Sequence, residues 1–226
     1  MTEKFSRGLS TTELNKVSSS FRKMLQKKYP TIVVDPNNLP ILDVISTGSY
    51  KLDALLNIGG LPRGKIVEIY GESGCGKSTF AGMLCASAQK QYPAEAVLYI
   101  DAEHAVSVDY FRKLGVDFDT DLMYFIQPDS GEEAIDIINN AVEAGFFSLI
   151  IVDSIPALVS KAEFASDAED VVIAPMAKLL ARALKRINSQ SSKNTLTVFI
   201  NQTRETIGFG GASTPGGKLI CLLNIP

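Results

Sequence analysis

The sequence predicts an α/β fold: a mostly parallel sheet covered by helices on both faces, preceded by a helix-plus-strand appendage. Three observations carry this expectation. From residue 41 onward, short apolar runs alternate with stretches of helical length, the pattern of parallel strands joined by helical crossovers. A glycine-rich loop joins one such run directly to one such stretch. The chain has 226 residues, 46% of them apolar and 21% charged, which suits one large domain or one domain with an appendage.

The appendage comes first. Residues 11–29 read as a helix, with Thr11 or Thr12 as the cap and Glu13 in the first turn. Leu14, Val17, Phe21, Met24 and Leu25 recur at spacings of three and four and make one apolar stripe. Lys16, Arg22, Lys23, Lys27 and Lys28 fill much of the remaining surface, and Pro30 ends the helix. Thr31–Val34 is a β-rich run, and Asp35–Pro40 is a linker by composition. This piece has too little apolar surface to fold alone, so it must pack on the main domain or on another subunit. The expected division is an appendage over residues 1–44 and a core over residues 45–226.

Within the core, strands are expected at Ile66–Tyr70, Val97–Ile100, Met123–Ile126, Leu149–Val152 and Thr197–Ile200. Helices are expected at Ser78–Gln91, Val108–Leu114, Gly131–Ala144 and Ala174–Ser189. The last of these has two faces. Met176, Leu180, Leu184 and Ile187 form its core side, and Lys178, Arg182, Lys185 and Arg186 form a basic stripe. Gly208–Gly217 reads as a mobile loop. Ligands of such sheets sit beyond the C-terminal ends of the strands, where every motif of interest falls.

Composition excludes several classes. The longest apolar run, Phe146–Val152 interrupted by Ser148, is far too short to span a bilayer, and no apolar stretch follows the charged N-terminus. Cys75, Cys85 and Cys221 are odd in number and far apart, which argues against a disulfide framework or a zinc ribbon and fits a reducing cytoplasm. Charge is uneven: residues 101–170 carry three Lys/Arg against sixteen Asp/Glu, and residues 171–226 carry seven against one. The basic end suits a polyanion-binding surface, although solvated charge explains it equally well.

The chemistry concentrates in four strand ends. Gly71-Glu72-Ser73-Gly74-Cys75-Gly76-Lys77-Ser78 matches G-x-x-x-x-G-K-[ST] in the strand–loop–helix context that a phosphate-binding loop requires, and Thr79 follows it. Its backbone N–H groups and the helix N-terminus cradle phosphate oxygens, Lys77 reaches the β- and γ-phosphates, and the Ser78 hydroxyl ligates Mg²⁺. Asp153 ends an apolar strand, as a magnesium ligand opposite such a loop does. Asp101 and Glu103 close another strand, and either could orient and deprotonate an attacking water; spacing does not choose between them. His104 is the only histidine and has the marks of an ordinary polar residue rather than a metal ligand. Asn201 and Gln202 end the last strand with amides that can hydrogen-bond a γ-phosphate. The glycine-rich stretch beyond them carries Arg204, Phe209 and Lys218, a combination suited to single-stranded nucleic acid.

Taken together, these stretches resemble the RecA family of bacterial and phage DNA recombinases. The similarity runs over roughly residues 45–218 through Ile45-Ser-Thr-Gly-Ser49, Gly59-Gly-Leu-Pro62, the phosphate loop, Ile100-Asp-Ala-Glu-His-Ala105, Arg112-Lys-Leu-Gly-Val-Asp117, Gln127-Pro-Asp129, Val152-Asp-Ser154 and Phe199-Ile-Asn-Gln202. The resemblance implies a P-loop NTPase fold of RecA type. Its sheet order would be Met123–Ile126, Val97–Ile100, Leu149–Val152, Thr197–Ile200, Ile66–Tyr70. It implies ATP and Mg²⁺ as ligands, Glu103 as the general base, Tyr110 stacked on the adenine, and Gln202 as the γ-phosphate sensor. DNA would meet loops at Glu163–Lys178 and Thr203–Gly217, with Lys178, Lys185 and Arg204 at the family's contact positions; Phe209, Gly216 and Gly217 of the second loop join them as expected contacts. The implied partners are single-stranded DNA, duplex DNA during pairing, and further copies of the chain in a helical filament built through the N-terminal helix and strand.

Three departures qualify the resemblance. Ser107 stands where the family has an acidic residue that reads adenine, which loosens the expected base selectivity. The first DNA loop is more acidic than in the family. After Gly217 the chain runs apolar to Pro226, without the lysines that reach the neighbouring subunit's ATP, so it looks truncated and weak hydrolysis is expected. The strand Ile66–Tyr70 would then have at most Leu219–Leu222 beyond it. Two other readings remain beside the recombinase: a RecA-like ATPase of helicase-motor or regulatory type, and a truncated recombinase that binds ATP and hydrolyses it poorly.

Overall fold

The computed structural model describes residues 10–29, 43–158, 175–190 and 194–202. The chain forms two compact units, one before residue 42 and one from residue 42 onward. In the first, α1 spans Thr11–Lys28. Its cap is Ser10, not Thr11 or Thr12. The Ser10 hydroxyl accepts from the Glu13 N–H while the Glu13 carboxylate accepts from the Ser10 N–H at 2.9 Å, a reciprocal capping box. The stripe of Leu14, Val17, Phe21 and Met24 is exposed.

The second unit is an α/β layer structure. A small antiparallel pair, β1 (Val44–Ile45) and β2 (Leu61–Pro62), brackets a short helix, α2 (Tyr50–Leu55). The main sheet contains β3 (Ile66–Gly71), β4 (Ala96–Asp101), β5 (Met123–Ile126), β6 (Phe147–Asp153) and β7 (Leu196–Gln202). All its pairings are parallel and its order is β3-β7-β6-β4-β5, the order the resemblance implied. The connecting helices are α3 (Lys77–Gln91), α4 (Val108–Lys113), α5 (Gly131–Ala144) and α6 (Pro175–Gln190).

Because side chains alternate along a strand, the sheet has two different cores. On one face Leu98, Ile100, Ile150, Val152 and Phe199 pack with Ile138 of α5 and with Leu180, Leu184 and Ile187 of α6. On the other face Val97, Tyr99, Leu149, Ile151, Val198 and Ile200 pack with Leu84 and Cys85 of α3 and Phe111 of α4. At the N-terminal ends of the strands, the buried guanidinium of Arg63 ties the pieces together. It donates to Asp43 at 2.9 Å, to Glu95 and to the Asn194 carbonyl, and lies 3.9 Å from the centre of the Tyr92 ring. Among the described residues no helix is long and apolar enough to cross a membrane. Thr31–Val34, Asp35–Pro40, Gly208–Gly217 and Leu219–Leu222 lie outside the described residues.

Candidate nucleotide site

Strand parity builds this site. Continuing the set Val97, Tyr99 along β4 reaches Asp101; continuing Leu149, Ile151 along β6 reaches Asp153; continuing Val198, Ile200 along β7 reaches Gln202. The parallel register sets Asp101 beside Asp153 and Gly71 beside Gln202. All three polar ends therefore emerge on the face covered by α3, the helix that the phosphate loop opens.

The loop between β3 and α3 turns sharply. Gly74 and Gly76 have φ of 75° and 94°, a left-handed conformation that glycine adopts without a steric cost. A Cβ on Gly71 would stand 2.9 Å from the Cys75 sulfur, so the thiol would have to swing aside to admit one. The Lys77 ammonium folds back over the loop and donates to the carbonyls of Gly71 at 3.0 Å and Glu72 at 2.7 Å. Ser73, Gly74, Gly76, Lys77, Ser78, Thr79, Glu103, Asp153 and Gln202 line one cleft of about 230 Å³. A second cleft of about 190 Å³ shares Ser78, Thr79, Glu103 and Asp153 and continues to Val106, Ser107 and Tyr110. There the Tyr110 hydroxyl lies 3.2 Å from that of Thr79, and Ser107 caps α4 by accepting from the Tyr110 N–H.

The two acids that spacing left equal have different surroundings. Asp101 is fully buried and accepts from the N–H groups of Ala105 and Val106 and, at 2.9 Å, from the Gln127 amide. It organises the turn after β4. Glu103 lies in the cleft, and its Oε1 accepts from the Ser154 hydroxyl and, at 3.0 Å, from the Gln202 amide. His104, at φ 54°, places a ring nitrogen 3.4 Å from the Pro128 carbonyl oxygen.

Asp153 is buried and accepts from the Tyr99 hydroxyl at 2.6 Å. Burial pushes its carboxyl above the ordinary range; hydrogen bonds from Tyr99 and Ser78 oppose the rise, and the charges of Glu103 and Asp101 add to it. Burial also drives the Tyr99 phenol upward, so it remains a neutral donor. The donor set fits a magnesium ion: one hydroxyl and one carboxylate, both hard oxygens, in a pocket with surplus negative charge and room for the water that Mg²⁺ retains.

The remaining site expectations fall elsewhere. Lys185 is exposed on α6, as is Arg182, whereas Arg186 pairs with Glu143 of α5. Lys178 belongs to α6, but its side chain is outside the described residues, as are Arg204, Phe209, Gly216, Gly217 and most of the segment Glu163–Lys178. Two residues around the cleft were not singled out from the sequence. The Ser154 hydroxyl donates to Glu103, and only its place after Asp153 hinted at it; the Tyr99 hydroxyl donates to Asp153, and Tyr99 shares the parity of Asp101.

A phosphate loop on a parallel sheet, with an acid across from it at the end of the next strand but one, defines a P-loop NTPase fold. A profile of the RecA N-terminal domain matches residues 14–223. Protein RecA of Kineococcus radiotolerans is 45% identical over 185 residues, covering 80% of this chain and 52% of that protein. Protein RecA of Mesomycoplasma hyopneumoniae is 41% identical over 216 residues, covering 92% of this chain and 63% of its own length. The chain belongs to the RecA family. It spans about half to two thirds of the length of these relatives.

Proposed function

We propose that this chain is an ATP-dependent DNA recombinase, which binds single-stranded DNA as a filament of copies and promotes homologous pairing and strand exchange in recombination and repair. The observation that carries the reading is the hydrogen bond from Gln202 to Glu103 at the mouth of the phosphate loop. It joins the strand that leads into the expected DNA segment, Thr203–Gly217, to the acid suited to activate water.

In this reading Lys77 and the N–H groups of Ser73–Ser78 hold the triphosphate. Ser78 and Asp153 hold Mg²⁺, which when bound offsets phosphate charge. Glu103 accepts the proton of the attacking water while Ser154 fixes its orientation. The Gln202 amide meets the γ-phosphate, and a change of partner at that amide is transmitted along the backbone to residue 203 and beyond. Lys178, Lys185, Arg204 and Phe209 supply the DNA face.

The test is single-stranded DNA affinity across a salt series, with and without a non-hydrolysable ATP analogue, alongside ATP hydrolysis with and without DNA. Affinity that falls with salt and rises with the analogue is the expected result. Affinity indifferent to both overturns the reading. Hydrolysis indifferent to DNA would favour a RecA-like motor or regulatory ATPase.

A further inference from the structure

The end of β7 serves both faces of the sheet. Gln202 points to the α3 face and reaches Glu103. Asn201, one residue earlier, is buried toward the other face, and its amide donates to Glu68 Oε1 at 2.8 Å. Glu68 lies on β3 opposite Phe199, so this is a diagonal contact between neighbouring strands on one face. The same Asn201 side chain turns its oxygen back to accept from the Gln202 backbone N–H at 2.9 Å. A continuous line of hydrogen bonds therefore crosses the sheet, from Glu68 through Asn201 and Gln202 to Glu103 and Ser154.

The directionality of these bonds gives Glu68 its role. An asparagine amide can present either its oxygen or its nitrogen to a neighbour. A carboxylate only accepts, so Glu68 compels Asn201 to aim its nitrogen at β3 and leaves its oxygen for the Gln202 N–H. With Asn201 so oriented, the last peptide of β7 is held from the face away from the nucleotide. The Gln202 side chain then answers its partners in the cleft from a fixed backbone.

We propose that Glu68 is a positioning residue for the γ-phosphate response: through Asn201 it fixes the backbone of Gln202, and this makes DNA affinity depend on bound nucleotide. The inference rests on the recombinase reading above. Glu68 lines neither cleft, so affinity for ATP itself is expected to survive its replacement.

Glu68→Ala and Glu68→Gln separate this role from simple support of the sheet, because glutamine keeps an acceptor oxygen and alanine does not. The readout is the ratio of single-stranded DNA affinities with and without a non-hydrolysable ATP analogue, together with affinity for the analogue alone and the thermal midpoint. Wild-type protein should show a ratio within the roughly 5- to 150-fold range of typical couplings. Glu68→Ala should reduce the ratio to about twofold or less while still binding the analogue, and Glu68→Gln should restore most of it. Asn201→Ala should lose the ratio as Glu68→Ala does, which keeps the test available if one variant folds poorly. A folded Glu68→Ala protein with the full wild-type ratio overturns the proposal. A wild-type protein with no ratio at all instead overturns the recombinase reading, and the proposal falls with it.

Discussion

Glu103 and Asp101 stand two residues apart at one strand end, yet their hydrogen-bond partners differ. Asp101 spends its oxygens on two backbone N–H groups and the Gln127 amide, whereas Glu103 faces the cleft beside Lys77 and Ser78. Glu103→Gln is therefore expected to bind ATP and Mg²⁺ much as wild type does while slowing hydrolysis about a hundred- to ten-thousandfold, because an amide cannot take the water's proton. Steady-state turnover beside direct nucleotide titration checks this; equal turnover would place water activation elsewhere. The sequence left these acids equal because strand alternation stops where the chain leaves the strand, and Glu103 lies in the turn. The resemblance names Glu103, and the contacts differ in the way that choice requires. Ser154 was not legible, since nothing in its spacing reveals that its hydroxyl meets Glu103 across the sheet.

Elements with sustained periodicity were legible. The five strands of the main sheet and its four connecting helices lie where apolar runs and amphipathic stretches put them, with the strands extending slightly further to include Asp101, Asp153 and Gln202. Their order in the sheet came from the resemblance, because periodicity does not say which strands are neighbours. The pair β1–β2 went unread because two-residue strands have no period to detect, and helix α2 was passed over although α4, equally short, was read. The cap of α1 did carry a signal in Ser10-x-x-Glu13, although Thr11 and Thr12 are equally good capping residues by type. The turn leading into α2 also has a measurable pH signature. Burial draws the Asp53 carboxyl upward, but hydrogen bonds from the Ser46 and Thr47 hydroxyls and the Thr47 N–H outweigh it and hold the group below its ordinary range. A carboxyl with a lowered folded pKa stabilises the fold fully above its unfolded pKa of about 3.9, and that contribution is lost as pH falls through the folded value. Asp53→Asn should thus be less stable than wild type at neutral pH, and the difference should shrink below about pH 4. Denaturant unfolding across pH 3–7 measures this; a constant difference over that range would show that the ionised form is not the one stabilised.

For the molecule as a whole, charge is the property that sequence alone displayed most openly. The acidic stretch and the basic end meet at α5 and α6, where Glu143 pairs with Arg186 while Lys185 remains exposed. If that helix contacts DNA phosphates, Lys185→Ala should weaken single-stranded DNA binding to a similar degree for all sequences. It should also lower the slope of log affinity against log salt by about 0.7. An unchanged slope would assign Lys185 to solvated surface. Arg204, expected as a phosphate contact, and Phe209, expected as an aromatic that meets a base, lie outside the described residues.

The two-sided ending of β7 has a consequence for how sequences of this kind can vary. Asn201 and Gln202 occupy opposite faces because they differ by one position, so the identity of the cleft-facing residue depends on whether an even or odd number of residues precedes it in the strand. A single inserted or deleted residue within β7 would exchange the two amides, sending Gln202 toward Glu68 and Asn201 toward Glu103. The same change in the connections between strands would leave both where they are. Length variation is thus expected in the connections away from the phosphate loop and the turn holding Glu103, and confined to pairs of residues within β4, β6 and β7, which makes residue count along these strands as binding a constraint as residue type.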